Sequence, residues 1–556
     1  MREANFKERG CRPVSEKDID ERLKKSSDKL NQLLPSVKKD EVNEGHQPIY
    51  VNAMDKPDAA TIQTPDKLQK FNDTINDRTP SWLHVYYTKE KGDKPLPTIK
   101  YKIDVVRLGD ALIKNDHLIS FPAVESGAMY QPKLGVWRLF KNNEAFKYVG
   151  SRLTHVVRRW GVYSDRDVTS VQKYVLRKML NTDQIVNPFD HSKPNLVAFE
   201  NGTFNFDTGK LEKSRPENYL VNGHDYNLDT SNKATPNTDK LLRAMVGDAD
   251  TFVKEFIGYG FYHSYQPFQK IVFFYGSGGE GKSTFLIDLL AMTIFGDGNY
   301  SAVPPEELAG NQNRFKTAQL YNHEMNIVAD IDKGYLANTA ILKKLSGGDP
   351  MDAEYKGTQN FTFVNYAKLI FSANELPSFS DTTNGIRERM VVIPFINGNT
   401  RTDNKDFWNK HDMKKVKEER EAFVYQCIIA FRRALRRRKM TETAQMKRDR
   451  NEWIELNDHF GQFIQEGCEI DTSSDAGESV TRVTAEYTAF CRENNYSEKT
   501  TSATIRNNLK RYGVVKAKRR KGYGADKNSI WRYIGLKLLK EYLKPDDADY
   551  YKSFEK

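Results

Sequence analysis

Residues 271 to 284 read Ile-Val-Phe-Phe-Tyr-Gly-Ser-Gly-Gly-Glu-Gly-Lys-Ser-Thr, and no other stretch restricts the fold as strongly. Ile271 to Tyr275 is a short apolar run, the pattern of a strand buried in a parallel sheet. It breaks into a glycine-rich turn and then into the helical spacing Phe285, Leu286, Leu289, Leu290. Gly276 to Ser283 has the spacing G-x-x-x-x-G-K-S/T of a phosphate-binding loop. Glycines let successive backbone N–H groups curl around an anion, and the following helix points its positive end at the same place. On this pattern Gly276, Ser277, Gly278, Gly279, Glu280, Gly281, Lys282, Ser283 and Thr284 form the nucleotide cradle. Lys282 reaches the β- and γ-phosphates and the Ser283 hydroxyl ligates Mg²⁺.

The bulk numbers narrow the setting. At 556 residues the chain has room for about three to five domains. No apolar run approaches the length of roughly 18 residues that spans a bilayer, and the opening Met-Arg-Glu-Ala-Asn-Phe-Lys offers no apolar stretch for a secretory signal. Cys11, Cys427, Cys468 and Cys491 are far apart, with no C-x-x-C pair. Neither a zinc site nor a disulfide framework is indicated, and the expected setting is reducing and cytoplasmic. The net charge of +11 permits a polyanionic partner.

Along the chain, residues 1–95 read as a flexible polar arm with one helix candidate, Glu16 to Leu34. Residues 96–235 read as an α+β domain. It carries helix patterns at 107–114 and 171–180, a strand at 135–140, and a hairpin with Asn-Gly and Thr-Gly turns near 195–211. The histidines there, His117, His155, His191 and His224, lack metal-type spacing. Residues 236–400 carry the phosphate loop. Residues 401–469 read as a charged helical region; its run Arg432-Arg-Ala-Leu-Arg-Arg-Arg-Lys is of a kind more often solvated than bound to nucleic acid. Asn409-Lys-His-Asp matches a guanine-recognition spacing, but no apolar strand precedes it. Residues 470–556 read as two helices followed by a basic loop between short strands, the pattern of a winged helix. Lys516, Lys518, Arg519, Arg520 and Lys521 would then lie along DNA phosphates. A protein–protein module with a solvated basic loop is the other reading of that stretch.

Further signals follow the loop in order. Asn326-Ile-Val-Ala-Asp-Ile-Asp is a second buried strand ending in carboxylates, where Asp330 and Asp332 can hold Mg²⁺ and position water. Ala367-Lys-Leu-Ile-Phe-Ser-Ala-Asn is a third strand ending in Asn374. Gly385-Ile-Arg-Glu-Arg-Met-Val-Val-Ile-Pro-Phe sets two arginines before a fourth.

Together with Lys343-Lys-Leu-Ser-Gly-Gly-Asp and Ser372-Ala-Asn-Glu-Leu-Pro, this order resembles the superfamily 3 helicases of the phage and plasmid primase-helicase and poxvirus-type class, a branch of the P-loop NTPases. The resemblance covers roughly residues 100 to 400. It implies an AAA+-like α/β ATPase core with a parallel sheet, preceded by an α+β domain and followed by a helical region and a winged helix. It implies ATP and Mg²⁺ as cofactors, with Ser283 and Asp330 on the metal. Asn374 would sense the γ-phosphate, and Arg389 would reach the nucleotide of a neighbouring subunit. It also implies a homo-oligomeric ring, a hexamer, that holds single-stranded DNA in a central pore, in the cytoplasm of a bacterial host. Asp352 to Gly357 falls where that class carries its pore hairpin, with Lys356 as the DNA contact. Duplex origin DNA would bind the C-terminal unit. Which of Asp330 and Asp332 is the base stays open. So do two other readings of the whole chain, a non-helicase ATPase such as a helicase loader and an ATP-switched origin-binding initiator.

Overall fold

The computed structural model describes residues 49–89, 97–122, 127–141, 143–183, 187–190, 193–308, 313–331, 334, 336, 339–356, 360–379, 384–496, 500–520 and 529–543. The chain divides into two units. The first runs through Lys193 and includes Ala198–Phe204 and Glu212–Asp225; the second comprises Pro194–Val197, Asn205–Leu211 and everything from Tyr226.

In the first unit, strands Leu83–Lys89 and Pro97–Ile103 pair antiparallel, with Leu83 opposite Ile103. Helices Val105–Asn115, Glu144–Arg159 and Asp165–Lys178 share a core with them, built on Trp82, Val85, Leu112, Leu153, Val157 and Val175. Asp104 caps the first of these helices by accepting from Val106 and Arg107 N–H. The expected flexible arm to residue 95 is corrected over residues 49–89. Leu83, Val85 and Tyr87 are buried while His84 and Tyr86 face out. That alternation of period two is a strand signal, and the charged residues around it mask it. Helix Pro65–Asn76 packs Leu68, Phe71 and Ile75 against the same core. The Glu16–Leu34 helix lies outside the described residues.

The second unit is built on a five-stranded parallel sheet. From one edge to the other its strands are Tyr300–Ser301, Met325–Ile331, Lys368–Ala373, Ile271–Tyr275 and Met390–Pro394. Every residue of Lys368–Ala373 is buried, as are Ile271 to Phe274 and Met390 to Ile393. Strands covered on both faces read as continuous apolar runs rather than alternating ones, which is why these were legible.

Helix Asp250–Gly260 packs closely on helix Arg420–Arg437 because Gly258 has no side chain. A Cβ there would lie 2.1 Å from the Cys427 carbonyl oxygen. The basic run on the second helix is partly structural. Arg432 donates to the carbonyls of Phe206 and Asp207 at 2.6 and 2.7 Å, and Arg437 pairs at 2.7 Å with the buried Glu255. Arg433, Arg436 and Arg438 are exposed. The guanine-like spacing at Asn409 falls on helices, and Asp412 caps Met413–Glu418 by accepting from Lys414 N–H at 2.9 Å.

Toward the C-terminus, helices His459–Gly467, Val480–Glu493 and Ser502–Leu509 bury Phe463, Tyr487, Phe490, Ile505 and Leu509 in one core. Strand Ser529–Ile534 pairs antiparallel with Gly477–Ser479 on one side and Val515–Arg520 on the other. No helix among the described residues is long and apolar enough to cross a membrane.

Candidate functional site

The loop after Ile271–Tyr275 leaves the sheet at its carboxyl edge, where open parallel sheets hold their ligands. Gly278, Gly279 and Gly281 have φ of +106°, +84° and +86°, a region that side chains other than glycine rarely enter. Lys282 and Ser283 begin the helical turn, which continues through Thr284–Phe295 as a π-helix that buries Phe285, Leu286, Leu289, Leu290, Ile294 and Phe295. The helix ends with Gly296 N–H on the Ala291 carbonyl, five residues back, at 2.9 Å. Ser283 is exposed at the start of this helix.

The Lys282 ammonium has three donors, and three acceptors surround it. They are the Gly276 carbonyl at 3.0 Å, Glu280 Oε2 at 2.9 Å and Asn374 Oδ1 at 3.1 Å. The Glu280 carboxylate also accepts from Ser277 Oγ at 2.9 Å and from Gly278 N–H at 2.9 Å through each oxygen. Burial pushes the Glu280 carboxyl up. The hydrogen bonds from Lys282, its own backbone and Ser277, with the Lys282 charge, outweigh this and hold it below the usual carboxylate range.

Sheet register explains how Asn374 and Asp330 come to this edge. Tyr275 and Ile331 both lie opposite Ala373, so Gly276, Asn374 and Asp330 all stand at the ends of adjacent strands. Between Val328 and Ile331 the register shifts: Ala329 and Asp330 face the single residue Ser372. Such a bulge re-aims side chains, and Asp330 is exposed while Val328 and Ile331 are buried. Asp332 lies outside the described residues.

Arg389 stands at the other end of the sheet. Its carbonyl accepts from Ile271 N–H at 2.8 Å, at the start of the phosphate-loop strand. Its guanidinium donates to the Gly385 carbonyl, and its Nε is buried with no partner among the described residues. The strand between Arg389 and the loop spans roughly 16 Å at about 3.3 Å per residue.

Lys356 is exposed beyond strand Pro350–Ala353, which pairs with Phe361–Val364 as an antiparallel hairpin. Gly357 and the next two residues are outside the described set. Lys516, Lys518 and Arg519 lie on strand Val515–Arg520, with Lys518 opposite Trp531. The Arg520 side chain and Lys521 are outside the described residues.

Sequence reasoning missed what covers the loop. Beyond Pro394 the chain folds back as a strap. Thr400 donates to the Gly279 carbonyl through both N–H and Oγ1 at 2.8 Å, and Asn397 Nδ2 donates to the Glu280 carbonyl at 2.7 Å. The Trp408 ring lies against Gly281, where a Cβ would come within 2.4 Å of it. These contacts join residues more than a hundred positions apart and leave no local pattern. Glu280 did leave one: an acid inside an anion-binding loop. Among the described residues no group of three or more acidic, His or Cys side chains is arranged to hold a metal.

Residues 125–247 match the family described as "D5 N terminal like", and residues 274–389 match a family of unknown function, DUF5906. The second match begins on the phosphate-loop strand and ends on Arg389. The chain resembles the phage and viral superfamily 3 primase-helicase class. No curated protein matches it. Among solved structures, the A-form apo C-terminal region of NrS-1 is 14% identical, with 75% of this chain and 96% of that chain covered and a TM-score of 0.35. A JCV helicase bound to a small molecule is also 14% identical, with 40% and 61% covered and a TM-score of 0.24. Within the primase-helicase resemblance, the loop, Asp330, Asn374 and Arg389 all fall inside the stretch 274–389.

Proposed function

We propose that the protein is an ATP-dependent DNA helicase that acts in replication of a phage, plasmid or mobile element, as a ring on single-stranded DNA. The observation that carries this reading is Lys282, held between the Gly276 carbonyl, Glu280 and Asn374 at the carboxyl edge of a parallel sheet. The donors fit a nucleotide's phosphates, because Gly278 N–H, the Ser277 hydroxyl and Lys282 already converge on one carboxylate. Gly276 to Thr284 would cradle the phosphates, and Ser283 and Asp330 would hold Mg²⁺, whose charge would offset that developing on the transferred group. Asn374 orients the attacking water from its strand end. Asp332 is the second acid.

Arg389 is assigned to a neighbour's site. Its place at the opposite end of the strand from its own loop supports this. Lys356, beyond the Pro350–Val364 hairpin, contacts the single strand. The C-terminal unit is a winged helix that binds duplex DNA, with Ser502–Leu509 entering a groove. On the wing, cross-strand pairing puts Lys516, Lys518 and Trp531 on one face with Tyr533, whose hydroxyl donates to the Ser502 carbonyl at 3.1 Å. That face therefore borders the helix whose Arg506 and Asn507 are exposed.

Unwinding of a forked duplex, with ATP and with Lys282→Ala as control, tests the reading. ATP-dependent strand separation by the wild type alone is the expected result. ATP turnover without unwinding would instead fit a loader or an initiator.

A further inference from the structure

We infer that Glu280 is the resident anion of the phosphate loop and sets the charge that a ligand must carry to enter it. The inference rests on the reading of this loop as a nucleotide site. The Glu280 side chain is 2% exposed and that of Lys282 is 7% exposed. A cation this deeply buried needs a compensating charge, and Glu280 supplies it at 2.9 Å. The carboxylate takes the donors that a phosphate would use: Gly278 N–H, Ser277 Oγ and Lys282 Nζ. Gly276 leaves it room, since a Cβ there would come within 2.8 Å of Glu280 Oε1. The Glu280 carbonyl is held from outside by Asn397, so the backbone is anchored while the side chain turns inward.

Two anions do not share one such nest, because like charges at that range repel strongly. A phosphate therefore enters only by turning Glu280 out and taking over the same hydrogen bonds. Inorganic phosphate exchanges one small anion for another and gains little. A nucleoside triphosphate brings further charge and contacts outside the nest, and it displaces the carboxylate. Glu280 thus acts as a selectivity filter against small anions, at the expense of nucleotide affinity.

Isothermal titration of the full chain with ATP, ADP and inorganic phosphate tests this on wild type, Glu280→Gln and Glu280→Ala. Both variants should bind ATP about tenfold tighter or more, the scale of losing a charge-assisted competitor. Inorganic phosphate should bind measurably only to the variants. Two substitutions are used so that poor folding of one, seen in its thermal melt, leaves the other to decide. If the wild type binds ATP and the folded variants bind it equally or more weakly, Glu280 is not a competitor and the inference falls while the nucleotide site stands. If neither wild type nor variants bind any nucleotide, the loop reading itself is overturned, and the inference with it.

Discussion

Lys282 Nζ and Asn374 Oδ1 lie 3.1 Å apart although 92 residues separate them in the chain. The contact ties the start of the helix after one strand to the end of the neighbouring strand and makes the loop and the Asn374 strand one site. Lys282→Ala should abolish ATP turnover and lower the melting temperature by only a few degrees, because Glu280 keeps its Gly278 and Ser277 donors. Steady-state hydrolysis and a thermal melt check both halves. Turnover close to wild type would remove the loop from the chemistry.

Asn374→Ala should lower kcat by about 10²-fold, the scale seen when one positioned polar group is lost from an active site. ATP binding should change far less, since Lys282 keeps the Gly276 carbonyl and Glu280 as acceptors. A fall confined to KM would assign Asn374 to ground-state binding instead.

Arg389→Ala should keep ATP binding and lose turnover by about 10³-fold or more. Mixing it with Lys282→Ala creates interfaces where an intact Lys282 meets an intact Arg389, and partial ATPase should return. Absence of recovery, with mixed rings shown to form, would leave Arg389 a role within its own subunit.

On strand Val515–Arg520, Lys516→Ala, Lys518→Ala and Arg519→Ala should each flatten the salt dependence of duplex binding by roughly 0.9 unit of slope if the proposed duplex contact holds. Arg519 lies 3.6 Å from Asp475, but Asp475 is almost fully exposed and Arg519 about half exposed, and such a pair holds the arginine weakly. An unchanged slope in all three would assign the ribbon to another partner.

Gly258→Ala tests the packing beneath the site. Its new methyl would meet the Cys427 carbonyl at 2.1 Å, so the two helices must separate. A stability loss of about 1–3 kcal/mol or more is expected by denaturant titration, and an unchanged midpoint would show that the helices already stand apart in solution.

Four strands of the sheet were legible because burial on both faces demands uninterrupted apolar runs, as at Ile271–Tyr275 and Lys368–Ala373, whereas the two-residue edge strand Tyr300–Ser301 leaves no such run. The loop was legible because its glycines have few substitutes at positive φ. Leu83–Lys89 was missed where charge hid an alternating strand, and Glu144–Arg159 was passed over despite burying Val149, Leu153 and Val157 on one side. The roles of Arg432, Arg437 and the strap at Asn397–Trp408 depend on partners distant in sequence. Local periodicity carries no trace of such partners.

The Gly279 carbonyl is used twice by Thr400, and this gives the loop a second mechanical exit. One route leads into the buried helix Thr284–Phe295. The other leads through Thr400 to Trp408 and on to the helix Arg420–Arg437, whose Arg432 and Arg437 are fastened to Phe206 and Glu255. A ligand that shifts Gly279 must drag Thr400 or break two hydrogen bonds to leave it behind. Amide exchange at Thr400 is then a local reporter of occupancy in the loop, read from a segment that no nucleotide needs to touch.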